Sequence, residues 1–146
     1  MRIAINGFGR IGKLVLRAFL EKNLKNVKVV AINELGSLDT SMHLLKFDSV
    51  HGAIPLKITK SNKNIKIGKN TINFFSEKNP RKLPWKSLNV DVVLECSGAF
   101  TSKEKAMEHI HAGAKKVLIS APATNADITV VQGVNNNALL KKHMII

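Results

Sequence analysis

One cysteine, no tyrosine and a single tryptophan are found in a chain of 146 residues. A lone thiol, Cys96, closes no intramolecular disulfide and builds no cysteine-based metal cluster, which fits a reducing compartment. Aromatic residues make up only 5% of the chain. They do not alternate with the basic residues, so the stacking platforms on which single-stranded nucleic acid rests are missing. Acids are scarce as well: 10 Asp and Glu stand against 23 Lys and Arg, a formal charge of +13. That balance alone would suit nucleic acid, an anionic membrane surface or anionic small molecules. Lys13, Lys22, Lys46, Lys57, Lys69, Lys86, Lys105 and Lys141 are spread along the whole chain, as on a solvated basic surface or on a piece whose balancing half lies elsewhere. No apolar run approaches the roughly 20 residues that cross a bilayer. The N-terminus begins inside a strand, with no basic, apolar, cleavable leader, and a cytoplasmic protein is the expectation. Repeats and low-complexity tracts are absent. With 45% hydrophobic residues, residues 1–146 are expected to fold as one domain with a real core.

Against these absences stands one dense feature. Arg2-Ile3-Ala4-Ile5-Asn6 is an apolar strand that runs straight into Gly7-Phe8-Gly9-Arg10-Ile11-Gly12, a Gly-x-Gly-x-x-Gly turn. The first glycine permits the sharp turn, the second lets a pyrophosphate approach the backbone, and the third lets helix pack on strand. The N–H groups and the dipole of a following helix would face the phosphates. Ile11, Leu14, Val15, Ala18 and Phe19 form a stripe of helical spacing. A second strand, Val27–Asn33, ends at Glu34, where an acid about 20 residues past the glycines would grip a ribose.

Farther along, a helix is expected near Leu38–Phe47 with Leu38, Met42 and Leu45 on one face. Short strands at Ile54–Ile58, Asn64–Ile67 and Thr71–Phe75 read as a small antiparallel insert. Val90–Glu95 reads as a buried parallel strand, followed by a helix with capping-box spacing at Thr101 and Glu104 and a stop at Gly113. Lys116–Ser120 and Ile128–Val131 read as further strands. The alternation predicts an α/β, doubly wound (Rossmann), mostly parallel sheet. Ligands in that architecture lie beyond the carboxyl ends of the strands, here Asn6-Gly7, Asn33-Glu34, Cys96-Ser97-Gly98 and Ser120-Ala121-Pro122.

The motifs Ile5–Gly12, Phe47-Asp48-Ser49-Val50-His51-Gly52, Leu83-Pro84-Trp85, Glu95–Thr101, Ala112–Val117, Ser120–Ala123 and Gly133-Val134-Asn135 resemble, in order, the N-terminal portion of the glyceraldehyde-3-phosphate dehydrogenase family. The resemblance implies NAD as cofactor. It implies that Asn6, Gly7, Phe8, Gly9, Arg10 and Ile11 line the pyrophosphate and adenosine site. Glu34, where the family usually has Asp, would face the adenosine ribose, and Lys78 the adenine side. Ser97, Gly98 and Phe100 would border the adenine pocket and Ser120 the nicotinamide ribose. A carboxylate at position 34 would repel a 2′-phosphate, favouring NAD over NADP. In the complete enzyme the resemblance implies a cysteine thiolate that attacks the aldehyde of a sugar phosphate, hydride transfer to nicotinamide, release of the thioester by phosphate, and a homotetramer. The family's nucleophile motif, Ser-Asn-Ala-Ser-Cys-Thr-Thr-Asn, would follow the stretch matching His143–Ile146 and does not occur in these 146 residues. The expectation is a cofactor platform truncated before the catalytic domain and without catalytic residues.

Cys96, one residue before Ser97 at the end of an apolar strand, reads as a half-buried packing residue rather than a nucleophile. His43, His51, His109, His111 and His143 have no metal-ligand spacing with cysteine or clustered acids and read as structural or solvent-facing. Trp85 reads as a loop anchor. Two other functions stand beside the leading one. Erythrose-4-phosphate dehydrogenase is a close relative that Ile32–Leu35 suits, although Ser49–Gly52 and Phe100–Lys103 favour the glycolytic enzyme. A basic, non-catalytic RNA-binding module is supported by charge alone.

Overall fold

The structure is a computed structural model that describes residues 1–22 and 24–146. Its main sheet has seven strands: β1 (Arg2–Asn6), β2 (Lys28–Asn33), β5 (Ile58–Ser61), β6 (Asn64–Ile67), β7 (Asn70–Phe75), β8 (Val92–Glu95) and β9 (Lys116–Ile119). They lie in the order β5-β6-β7-β2-β1-β8-β9. The pairs β1–β2, β1–β8, β2–β7 and β8–β9 are parallel, and β5–β6–β7 is an antiparallel meander. The predicted antiparallel insert is therefore fused to the parallel sheet through β7 rather than set apart from it. A separate two-stranded ribbon joins β3 (Phe47–Asp48) to β4 (Gly52–Ala53). Strand order reverses at β1, which lies between β2 and β8, and that is where a doubly wound sheet opens a crevice.

Each face of the sheet is covered by helix. Ile5, Val29, Ile32, Ile65, Ile67, Ile72 and Phe74 pack with Leu16 of α1 (Arg10–Lys22) and Leu45 of α2 (Leu38–Lys46). On the other face Ala4, Val30, Ala31, Val93 and Val117 pack with Trp85, Val90 and the Ala106 face of α3 (Lys103–His111). The β1–β2 register shifts between Ile3 and Ala4. Consecutive Val30 and Ala31 consequently both belong to the α3 face, a bulge that breaks strict alternation.

Four local expectations differ from the structure. The buried line of α1 is Gly12, Leu16 and Arg17, whereas Ile11 and Ala18 of the predicted stripe are exposed. Gly12 presses on the turn after β1 and rotates the helix by about one residue. Of the strand expected at 54–58 only Ile58 is in one, as the first residue of β5: Ile54 N–H bonds Lys46 C=O at 2.9 Å, and then Pro55, with no N–H, interrupts the ladder. Ser102, not Thr101, caps α3, its oxygen accepting from Lys105 N–H at 3.4 Å, because the Thr101 carbonyl is taken by Thr124 N–H at 2.9 Å. Residues 128–131 form no strand. The slot beside β9 is filled instead by the chain end: Val117 N–H donates to Met144 C=O, and Ile119 N–H to Ile146 C=O, each at 2.8 Å.

The stop at Gly113 is as expected. Gly113 N–H bonds Ile110 C=O at 2.9 Å and Ala114 N–H bonds His109 C=O at 3.1 Å, the paired bonds of a Schellman motif. Among the described residues no helix is long and apolar enough to cross a membrane.

Candidate functional site

At the strand reversal the ends of β1, β2 and β8 frame a cleft of about 300 Å³. Asn6, Gly7, Gly9, Glu34, Lys78, Ser97 and Phe100 line it, with Asn33, Leu35, Glu77, Cys96 and Ala99. Its glycines differ in what surrounds them. Gly7 turns at φ +88°, and a Cβ there would run into the Ser97 backbone. A Cβ on Gly12 would strike the Gly7 carbonyl oxygen. One on Gly9 would meet nothing within 4 Å. The space beside Gly9 is thus open for a ligand to approach the backbone, while its two neighbours are shaped by packing. The first intrahelical bond of α1, Lys13 N–H to Gly9 C=O, is 3.2 Å long, so the N–H groups before it are the free ends of the helix, suited to an anion. These features fit a dinucleotide.

Glu34 stands at the cleft edge, half-buried. One carboxylate oxygen accepts from Phe8 N–H at 2.6 Å and the other from Gly36 N–H at 3.0 Å. The glycine turn thus holds the carboxylate that follows β2. Phe8 itself is 2% exposed and its ring joins the α1 side of the core, so its N–H rather than its ring serves the cleft. Arg10 points elsewhere and pairs with Asp48 at 3.0 Å. Asp48 is held below the usual carboxylate range chiefly by the N–H groups of His51 and Val50, with Arg10 adding to the effect. Ile11 is exposed on the first turn of α1. Gly98, at φ +74°, continues the turn from Ser97. Ser120 lies beyond the cleft and donates its hydroxyl to Glu95 C=O at 3.1 Å.

Beneath the cleft runs a chain of buried polar groups. Trp85 Nε1–H donates to His109 Nδ1 at 3.0 Å, and His109 Nε2 meets Glu95 Oε2 at 2.9 Å. Indole is donor-only, so Nδ1 is the acceptor and Nε2 carries the proton given to Glu95. Glu95 also accepts from Asn6 Nδ2 at 2.6 Å, from Ser97 N–H at 2.8 Å and from the Ser97 hydroxyl. Asn33 Nδ2 then donates to Asn6 Oδ1 at 2.8 Å and to Glu77 C=O at 2.9 Å, while Asn33 Oδ1 accepts Glu77 N–H at 2.9 Å. Sequence reasoning placed Asn6 toward a ligand and left Glu95 and His109 without a site role. The signal available was the presence of polar residues at the ends of apolar strands, where each needs a partner.

Cys96 borders the cleft, and burial pushes its thiol above the ordinary range. A protonated thiol is a poor nucleophile. Among the described residues no cluster of His, Cys, Asp and Glu has the makings of a metal site.

The family described as glyceraldehyde 3-phosphate dehydrogenase, NAD binding domain, matches residues 1–103. The glyceraldehyde-3-phosphate dehydrogenase of Xanthobacter flavus is 49% identical over 146 residues, which is 100% of this chain and 44% of that protein. That of Thermotoga maritima is 50% identical over 145 residues, 99% of this chain and 44% of that protein. That of Chlamydia pneumoniae is 52% identical over 136 residues, 93% and 40% of the two. The chain thus spans less than half the length of the curated relatives it matches. It belongs to the glyceraldehyde-3-phosphate dehydrogenase family and corresponds to the family's NAD-binding domain.

Proposed function

We propose that NAD lies across the ends of β1, β2 and β8, and that residues 1–146 are the cofactor-holding domain of a phosphorylating glyceraldehyde-3-phosphate dehydrogenase. The observation that carries this is the pairing of an open approach at Gly9 with the Glu34 carboxylate held at 2.6 Å by Phe8 N–H. Backbone N–H groups of the glycine turn and the first turn of α1 would take the pyrophosphate without side chains. Glu34, already oriented, would accept both ribose hydroxyls, and a 2′-phosphate there would meet a like charge. Lys78, exposed at the rim, and Phe100 suit the adenine side, which Ser97 and the adjacent Gly98 would border. Arg10, Ile11 and Ser120 lie outside the cleft as it stands, and in this reading they serve its margins. The bound cofactor would supply the hydride acceptor.

The substrate, a three-carbon sugar phosphate, is proposed from the name of the full-length relatives, and the homotetramer of the complete enzyme and a cytoplasmic location from the family resemblance of the sequence. Cys96 is half-buried with a raised thiol, which disfavours it as a nucleophile, and these 146 residues contain no Ser-Asn-Ala-Ser-Cys motif. Calorimetric titration with NAD and NADP tests the reading. NAD should bind at least tenfold tighter, and Glu34→Ala should narrow that gap. Equal affinities in the native chain would remove Glu34 from the ribose site.

A further inference from the structure

We propose that Glu95 is a positioning residue of the dinucleotide cleft, held in register by His109 and acting on both walls through Asn6 and Ser97; this rests on the reading that the cleft takes NAD. Glu95 is 1% exposed. A carboxylate has about four acceptor sites, and four donors converge on this one: His109 Nε2–H, Asn6 Nδ2, Ser97 N–H and the Ser97 hydroxyl. Three of those donors belong to two residues that line the cleft, Asn6 and Ser97. On one side Glu95 fixes Ser97, whose backbone a Gly7 Cβ would strike, so the glycine turn and the β8 turn are set against each other. On the other side it orients the Asn6 amide, whose oxygen then receives Asn33. Asn33 clamps both backbone groups of Glu77, the residue before Lys78. Trp85 fixes the direction of the whole chain, because its N–H can only donate and so determines which His109 nitrogen carries the proton.

The polarity is what makes Glu95 particular. Every neighbour donates toward it, so a glutamine of the same shape must turn an NH₂ against a donor. Turned toward His109, it forces the ring proton onto Nδ1, against the Trp85 N–H. Turned toward Ser97, it leaves that N–H without an acceptor. A buried carboxylate kept only for stability would have no reason to report in the cleft.

The test uses the full chain and its Glu95→Gln variant, with the fold checked by circular dichroism. NAD affinity is measured by calorimetry. The indole N–H of Trp85, the sole tryptophan, and the amides of Ser97 and Lys78 are followed by NMR without ligand. E95Q should weaken NAD binding at least tenfold and shift the Trp85 or Ser97 resonance together with Lys78. A folded E95Q that binds NAD within twofold of native overturns the proposal. If E95Q does not fold, His109→Phe and His109→Gln decide. Gln keeps an acceptor and a donor and should recover most of the affinity that H109F loses; equal affinity in the two overturns the proposal. A native chain that binds no NAD overturns the proposed function instead. The positioning role is then read from the ligand-free spectra, where unchanged Ser97 and Lys78 amides in E95Q overturn it.

Discussion

His109 Nε2 lies 2.9 Å from Glu95 Oε2, and neither side chain is exposed to solvent. The pair joins the inward face of α3 to the last residue of β8, away from solvent. Withdrawing a carboxylate from water is costly unless its oxygens are filled by donors. Here they are, and the pair ties the α3 side of the core to the floor of the cleft. Trp85 stacks beside His109 with ring centroids 6.3 Å apart and takes an edge contact from Phe75 at 6.2 Å.

Trp85→Phe should isolate the contribution of the indole N–H. Phenylalanine keeps an aromatic ring in the core but leaves His109 Nδ1 facing no donor in a dry site. An unsatisfied buried acceptor costs roughly 1–3 kcal/mol, added to the loss of ring volume. Urea unfolding followed by circular dichroism measures it. A variant as stable as the native chain would show that Nδ1 finds another donor.

Gly9→Ala and Gly12→Ala should separate binding from folding. At Gly9 the new methyl meets nothing within 4 Å, so the melting temperature should hold while NAD affinity falls tenfold or more. At Gly12 alanine would gain about 1 kcal/mol in helix propensity. It also collides with the Gly7 carbonyl and comes within 3.1 Å of Ile5 Cγ2, and overpacking of that kind costs typically 1–3 kcal/mol. The collision involves backbone and should win, lowering the melting temperature.

Arg17→Met should destabilise the chain although both side chains are long and apolar along the stem. Arg17 is 4% exposed, and its guanidinium donates to Leu45 C=O and Gly52 C=O at 3.1 Å and to His51 C=O at 3.3 Å. It pins the end of α2 and the β3–β4 ribbon to α1. Its Nε has no partner among the described residues. Loss of donors to these carbonyls should cost on the order of 1–3 kcal/mol in chemical denaturation, with faster hydrogen exchange in residues 47–53.

Asp127 should confer an acid-labile increment of stability. Its carboxyl is held far below the usual range, first by Ile145 N–H and then by Lys103 and Met144 N–H. The bonds are 2.9 Å from Ile145 N–H, 2.7 Å from Met144 N–H and 2.6 Å from Lys103 Nζ. A depressed folded value means stability present above the unfolded value, near pH 4, and lost as pH falls through the folded one. Asp127→Asn should therefore be less stable than native at pH 7, with the gap narrowing below pH 4. A gap that stays constant between pH 7 and pH 2.5 would show that the carboxylate charge is irrelevant there.

The chain by itself should not reduce NAD in the presence of glyceraldehyde 3-phosphate and phosphate. Nucleophile and base act as a unit in such chemistry, and the one thiol here is pushed up by burial. Absorbance of the reduced cofactor at high protein concentration checks this. Turnover that vanishes in Cys96→Ser would assign Cys96 a catalytic role.

What the sequence determined by itself is local. The Gly7–Gly12 turn, the strands β1, β6, β8 and β9, the position of Glu34 and the stop at Gly113 each follow from periodicity or from a backbone angle that few residues adopt. Those are constraints among residues a few positions apart. Tertiary structure decided the rest, because the partners are distant in the chain. Glu95 meets Asn6 across 89 positions and Trp85 meets His109 across 24. Asn6 lines the cleft but spends its amide on Glu95 and Asn33, because a buried carboxylate lies beside it, and Arg17 is buried because three distant carbonyls await it. Residues 128–131 have strand composition but lie outside the sheet, because Ile145 and Ile146 already occupy the edge of β9. Hydrophobic pattern specifies which face of an element turns inward; which polar group it meets there depends on strand order, and only the folded sheet defines that.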